Sequence, residues 1–600
     1  LRFETARLRS LLNLSPAAKR VQWISLSFKP SNGKPNRMSL QENTLSKIAS
    51  RYSPAIFCAV LLLVGLCHFH GWAGSDFWDR LPGDRGDGRF IPFCLEHEYQ
   101  SIRGNGSFVS PPFFYPAQGT LGYSDVLLGF LPIYSFFRLI GVEPFGSMQG
   151  SLWAADLLAF FLALGFLRRG IGFGLIPSAL GAAFFAFNNP RFQMTNHYQI
   201  QAGFILPAAA WLIASSLRNP KASGTGLDLR WAGALLLIDV QLLTSYYLGW
   251  FALAWGFLFL FGMALDPETR EGLCEYVHRQ RRSLSVAVAA FVLGMIPFLL
   301  IYLPAFATQA PRKYDDYLSL MPTWGSWFWM GASHPLEKSW APLLGMDSGL
   351  CLEPELRMSW GWMVWLVLGL ALWVFLRDLR KGESDENKPS CHWVAPWAAT
   401  LVLGLMVVHW GEFSLWRFVF QYVPGASSIR GVGRIAVFMT LPVAVALAWS
   451  CQRFGIWAAG LSVSKRRWFI VGAVVFGCMT VAEQFSPPPG PGYSASKESA
   501  RLTQLAAGIP KNCEAFYIGL PPTAPGSSAE WSLDAAWAAQ ESGVPTLHGY
   551  SGTEPPGWNL GGLKRPDFQA RVQEWVQRNH LRGPVCEIQP MGFSFENKVQ

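Results

Sequence analysis

Seven titratable side chains, Asp76, Asp79, Asp84, Asp87, Glu96, His97 and Glu98, fall in one stretch, 74–124, that lies between hydrophobic segments of this 600-residue chain. The core of a bilayer does not tolerate that density of ionisable groups, so the stretch reads as an aqueous loop in which chemistry can be done. Asp84 and Asp87 stand in Gly83-Asp84-Arg85-Gly86-Asp87-Gly88-Arg89. The glycines let the backbone bend and a ligand approach closely, and two carboxylates can serve as a general base, as metal ligands, or as both. The same residues also suit a plain structural role, with Asp87 capping the helix that follows and Asp84 ending a turn.

From Arg89 the pattern is that of an amphipathic helix. Ile91, Leu95, Tyr99 and Ile102 share one face, Arg89, Glu96 and Arg103 the opposite one, and His97 lies between them. Such a helix would rest on a membrane with its charged stripe turned to a cavity or to solvent.

The elements that must position these groups are membrane spans. With 51% hydrophobic and 15% charged residues the chain is too apolar for a soluble protein. Its net charge of +10 gathers in short Lys/Arg segments flanking apolar runs, which encodes membrane orientation and does not point to nucleic acid. The ten cysteines show no CxxC pair and no metal-ligand spacing.

Candidate spans are 53–72, 148–167, 171–188, 200–217, 231–246, 247–265, 285–304, 360–377, 393–410, 434–451 and 468–485. The Lys and Arg clusters alternate with them, so about eleven spans place the N-terminus in the cytosol and the C-terminal part outside. The run Val126–Ile140 reads as a helix lying along the outer surface, with Pro132 starting its second half. The pair 231–246 and 247–265, parted at Ser245, Tyr246 and Tyr247, reads as a broken or re-entrant hairpin.

The expected organisation is a cytosolic segment 1–52, a transmembrane domain 53–485 with outer loops 74–147 and 305–359, and an extracytoplasmic α/β domain 486–600 opened by the linker Pro487-Pro488-Pro489-Gly490-Pro491-Gly492. Residues 1–37, basic and unpatterned, are expected to be an over-extended reading frame or a disordered cytosolic tail, with Met38 as a natural start; no cleavable signal peptide is apparent. In the last domain, helices are expected at 500–509, 533–542 and 568–580, and strands at 514–518, 545–548 and 585–588. Cys513 and Cys586 each begin one of these strands; they form a disulfide if the strands are neighbours, and are buried thiols otherwise.

Several motifs fall on the side that this topology places outside. They are the acidic loop with its PGDRGD segment, the Glu96-His97 pair, Pro112-Phe113-Phe114-Tyr115-Pro116, Tyr123-Ser124-Asp125, Asn196-His197-Tyr198-Gln199, Ser245-Tyr246-Tyr247-Leu248-Gly249, and Val423-Pro424-Gly425 with Arg430 and Arg434. The tail adds His548-Gly549-Tyr550-Ser551-Gly552 and Pro555-Pro556-Gly557-Trp558. In this order they resemble the GT-C superfamily of membrane glycosyltransferases, in particular bacterial members, over nearly the whole membrane part.

The resemblance implies a bacterial inner-membrane enzyme that takes a sugar from a polyprenyl-phosphate carrier to a lipid, glycan or protein acceptor, with inversion. An outer-loop Asp would activate the acceptor hydroxyl, Asp87 first and Asp84 second. Arg89, Glu96, His97, Arg191, His197, Gln199, Tyr246, Arg430 and Arg434 are the substrate-binding candidates. Arg430 and Arg434 suit a phosphate, since guanidinium binds it bidentately, although both could equally snorkel to lipid headgroups. A divalent cation, Mg or Mn on Asp84 and Asp87, is left open. Trp324, Trp327, Trp329 and Tyr317 of the 305–359 loop suit stacking on sugar rings or an interfacial belt.

Two acids inside apolar runs, Asp156 and Asp239, read as structural hydrogen-bond partners. Asp239 also supports an alternative class, a transporter or flippase of a lipid-linked glycan, although no internal repeat accompanies it. A non-catalytic scaffold is a third possibility, in which replacing Asp84 and Asp87 would change nothing.

Overall fold

A computed structural model describes residues 44–218, 226–308, 312–331, 334–340, 354–380, 391–411, 413–488 and 490–590. The expectations for residues 1–37 lie outside them. Among the described residues, six helices are long and apolar enough to cross a membrane: Ser53–Asp76, Pro144–Ile171, Tyr198–Arg218, Tyr246–Leu265, Pro267–Thr308 and Val432–Ala459. Trp362–Arg377 and Val394–Met406 are apolar but shorter.

Other expected spans come out differently. Leu175–Ala186 has 12 residues and Arg230–Thr244 has 15. At about 1.5 Å per residue neither reaches across a hydrocarbon core of about 30 Å unaided. Val463–Ala482 is 20 residues long but carries Lys465, Arg466 and Arg467 in its first turns.

The break at Ser245 has a specific cause. Ser245 is extended (φ −147°, ψ 101°), and the carboxylate of Asp125 accepts the backbone N–H of Tyr246 at 2.8 Å, giving the new helix an anchor for an otherwise unpaired donor. Thr244 Oγ1 accepts the N–H of Gly129 at 2.7 Å, fastening the same break to the 74–147 loop. The Val126–Ile140 run becomes a 9-residue helix, Leu131–Leu139, with Pro132 in its first turn and not at its middle. It buries Leu131 and Tyr134 and exposes Phe136, Leu139 and Ile140.

The loop helix, Asp87–Ile102, does not rest on a membrane by one face. Every residue from Gly88 to Tyr99 is buried, because the tail covers what would have been the solvent side. Strand Arg80–Leu81 pairs antiparallel with Tyr493–Ser494, and helix Ser528–Ser542 packs on the loop helix, with Trp537 edge-on to Phe93 at 5.8 Å. One hydrophobic core runs from the 74–147 loop through the long apolar helices into the tail.

The tail itself holds helices Ala495–Ala507, Ser528–Ser542 and Phe568–Arg578 and parallel strands Ala515–Ile518 and Val585–Ile588. The strand expected at 545–548 is reduced to a single bridge, Thr546 to Phe516. Cys513 and Cys586 are joined by a disulfide across the parallel pair. Arg89, fully buried, places Nη1 2.9 Å from Glu498 and 2.6 Å from Asp534, and Arg501 and Arg85 complete the same ion cluster.

Candidate active site

Asp87 is the first residue of the loop helix, and Gly83 ahead of it has φ +101° and lies so close to Asn196 that a Cβ would stand 2.9 Å from its Oδ1. The acidic segment is thereby pressed against the Asn196-His197 turn. Asp87 Oδ2 lies 3.2 Å from His197 Nδ1, and its Oδ1 accepts the hydroxyl proton of Tyr550. On the other side of the ring, His197 Nε2 is 3.1 Å from Glu355 Oε1, and Arg434 Nη2 donates to the same oxygen at 3.1 Å. The guanidinium of Arg434 stacks over Tyr247 at 4.5 Å, and the Tyr247 hydroxyl accepts the N–H of Arg430 at 3.2 Å.

The result is an alternating row of charge: Asp87, His197, Glu355, Arg434. Burial opposes ionisation of Asp87, but the hydrogen bond and charge of His197, the Tyr550 hydroxyl and Arg434 outweigh it and hold the carboxyl below its ordinary value. Glu355 is held low in the same way, burial being overcome by His197 and Arg434. For His197, burial and Arg434 act against protonation, while Asp87 and Glu355 prevail and raise it. A doubly protonated ring donates from Nδ1 to Asp87 and from Nε2 to Glu355; Nε2 also lies 3.1 Å from Arg434 Nη2, and the ring's role in that contact depends on its tautomer.

Asp84 is exposed; its Oδ1 accepts the N–H of Gly86 at 2.8 Å, closing a local turn, and its Oδ2 is 3.5 Å from Asn196 Nδ2. Arg430 is exposed, with no ion-pair partner among the described residues. Gln199 is buried beside Asp125.

Other candidates are used elsewhere. Arg89 belongs to the ion cluster under the tail. Glu96 accepts from Arg138 and Tyr134, each at 2.8 Å, and His97 is buried with Nε2 3.1 Å from the Phe108 carbonyl. Arg89 and Glu96 of the charged stripe thus face protein, while Arg103, just past the end of the helix, is exposed and lies 5.6 Å over the ring of Tyr99. Arg191 closes on Asp156 at 2.6 Å, and His70 takes the other oxygen of Asp156 at 2.8 Å. Tyr246 donates its hydroxyl to the Gly425 carbonyl at 2.9 Å, fixing the loop that leads to Arg430. Tyr317, Trp327 and Trp329 are core residues; of the four loop aromatics only Trp324 is exposed, 5.7 Å from Trp410.

Three members of the site were absent from the sequence candidates: Glu355, Tyr247 and Tyr550. Tyr247 and Tyr550 fall inside the Ser245–Gly249 and His548–Gly552 motifs, and Glu355 falls in the aromatic-rich loop 305–359. Asp125 is a fourth acid nearby. Burial raises its carboxyl against the opposing Tyr246 N–H and Arg434.

Asp87 and Glu355 are paired with His197 and Arg434, and among the described residues no group of three His, Cys, Asp or Glu side chains is placed to hold a metal ion.

The fold and site define a helical, multi-pass membrane protein with an acid-histidine-acid-arginine row. No family model matches the chain, and no curated protein is significantly similar to it in sequence. Its structure is similar to the arabinofuranosyltransferase AftD from Mycobacteria (13% identity, TM-score 0.47, 80% of this chain and 30% of AftD). It is also similar to the Archaeoglobus fulgidus oligosaccharyltransferase tethered with an acceptor peptide (12%, 0.45, 89% and 68%). A third similar structure is ArnT from Cupriavidus metallidurans bound to undecaprenyl phosphate (14%, 0.40, 83% and 90%). At TM-scores below 0.5 the likeness assigns neither activity nor residues to this chain.

Proposed function

We propose that this protein is a glycosyltransferase of the bacterial inner membrane that moves a sugar from a polyprenyl-phosphate carrier to a hydroxyl of a lipid, glycan or protein acceptor on the outer side. The observation that carries the reading is the Asp87-to-Arg434 row. A carboxylate kept ionised and a guanidinium kept charged stand at the two ends of one compact group. Asp87 takes the proton of the acceptor hydroxyl as its oxygen bonds to C1 of the sugar from the face opposite the carrier. The C1–O bond to phosphate breaks with its electron pair, so polyprenyl phosphate leaves as an anion and the anomeric centre inverts. Arg434, with exposed Arg430 beside it, meets the phosphate charge, in the place a divalent cation would otherwise serve.

The topology proposed with this reading is eleven spans, the short helices Leu175–Ala186 and Arg230–Thr244 being inserted against longer neighbours, with residues 486–600 as a periplasmic α/β domain. It is supported by the convergence of 74–147, 188–199, 354–359, 425–434 and the tail on one site, since the charge alternation assigns all of them to the same side.

The test compares the lipid-linked sugars of cells carrying wild-type protein or Asp87→Asn by mass spectrometry. Accumulation of one polyprenyl-phosphate sugar only with the variant names the donor; matching profiles with a folded variant overturn the reading. Asp239, buried with neither carboxylate oxygen hydrogen-bonded among the described residues, favours a second reading, movement of a lipid-linked glycan across the membrane. That reading expects Asp239→Asn, and not Asp87→Asn, to stop the lipid from reaching the outer leaflet.

A further inference from the structure

Asp87 has two carboxylate oxygens, and the chain's own tail takes one of them. Tyr550 lies 463 residues further along the sequence, yet its hydroxyl donates to Asp87 Oδ1. The turn that carries it is fastened at several points. The Phe114 N–H donates to the His548 carbonyl at 2.7 Å, and the Ile518 N–H donates to His548 Nε2 at 2.8 Å. Ser551 Oγ donates to the Tyr123 carbonyl at 2.9 Å, and Arg312 donates to the Gly552 carbonyl at 3.3 Å. Between these anchors, Gly549 admits the ring of Phe114, which a Cβ at that position would meet at 2.1 Å. Tyr550 then packs edge-on against Phe90 at 5.3 Å, and its hydroxyl reaches past Gly86 to the carboxylate.

With Tyr550 on Oδ1 and His197 on Oδ2, the carboxylate of Asp87 cannot rotate freely. Its side chain nevertheless keeps 40% exposure, so lone pairs remain open to an incoming hydroxyl. We propose that Tyr550 is a positioning residue for Asp87, by which the tail fixes the rotation of the carboxylate and keeps it ionised, so that the site is incomplete without the tail. The inference rests on the reading of Asp87 as the base. Burial and the Asp87 charge keep the Tyr550 phenol protonated, so it acts only as a donor. Such a charge-assisted hydrogen bond stabilises the ionised carboxylate.

The test uses the full chain in detergent and a hydrophobic carbodiimide, which labels protonated carboxyl groups, with labelling at Asp87 followed against pH by peptide mass spectrometry. Tyr550→Phe removes only the hydroxyl. The expected result is a labelling profile moved to higher pH, with several-fold more label at a fixed mildly acidic pH and an unchanged unfolding temperature. Ser551→Ala, which loosens the turn at one anchor, is expected to move the profile in the same direction by less. An unchanged profile in folded Tyr550→Phe overturns the inference. The labelling needs no substrate, so the two readings fail separately: Asp87→Asn with a wild-type lipid profile refutes the base alone, and an unmoved labelling profile refutes the role of Tyr550 alone.

Discussion

Arg434 lies over the ring of Tyr247 at 4.5 Å while its Nη2 donates to Glu355 Oε1 at 3.1 Å, so the guanidinium is held by a face and an edge at once. Lysine can satisfy the charge but not the planar fork or the stacking. Arg434→Lys is therefore expected to lower transfer, and Arg434→Met to lower it by about 10²–10³-fold, the scale of removing one preorganised donor at developing charge. Rates of sugar transfer from the donor named by the lipid analysis check this, and wild-type rates in Arg434→Met would remove the phosphate role.

The pH dependence of stability follows from the same row. His197 is raised above its ordinary 6.5, so its contribution is fully present below 6.5 and is lost as pH rises through the raised value. Asp87 and Glu355 are lowered from 3.8 and 4.5, so their contributions are present above those values and vanish as pH falls through the depressed ones. Wild type minus His197→Gln, measured as unfolding temperature in detergent, is expected to be largest between 4.5 and 6.5 and to shrink on both sides. A difference that grows with alkalinity would contradict the charged imidazole.

Arg89 is fully buried with two carboxylates on it, and truncating it leaves Glu498 and Asp534 facing fewer cations. Arg89→Met is expected to destabilise the protein by about 3–5 kcal/mol, the range for breaking a buried pair from one side. Chemical denaturation measures it, and protease cleavage of the tail is expected to rise in parallel.

The Cys513–Cys586 bridge closes a sequence separation of 73 residues. Chain-entropy scaling gives about 4 kcal/mol as its upper contribution, so the double variant Cys513→Ser, Cys586→Ser is expected to lose up to that amount. Alkylation in intact cells adds a test of sidedness. The two thiols are expected to resist alkylation until reduced, because disulfides persist outside the cytosol; ready labelling without reductant would put the tail on the cytosolic side.

If Arg434 and Arg430 meet the phosphate as proposed, a chelator is expected to leave transfer unchanged. Loss of transfer on chelation, restored by Mg or Mn, would move the metal question to exposed Asp84.

Read by itself, the sequence determined what local composition controls. The apolar runs, the break at Ser245 and a helix from Arg89 follow from hydrophobic period and glycine placement, which act over a few residues; the helix itself starts two residues earlier, at Asp87, with Gly86 as its cap, and it took the pairing of the two tail strands to join Cys513 to Cys586. It also singled out Asp87, His197 and Arg434, because charged groups at the mouths of apolar helices are conspicuous. Tertiary structure alone decided which charges meet. Arg89, Glu96 and Arg191 look as available as Arg434 when only neighbours in sequence are considered, yet each is neutralised by an acid or base far away in the chain. Glu355 and Tyr550 carry no local sign of their role, since ion pairing and hydrogen bonding depend on distance in space. That distance is set by a core running from the loop helix into the tail.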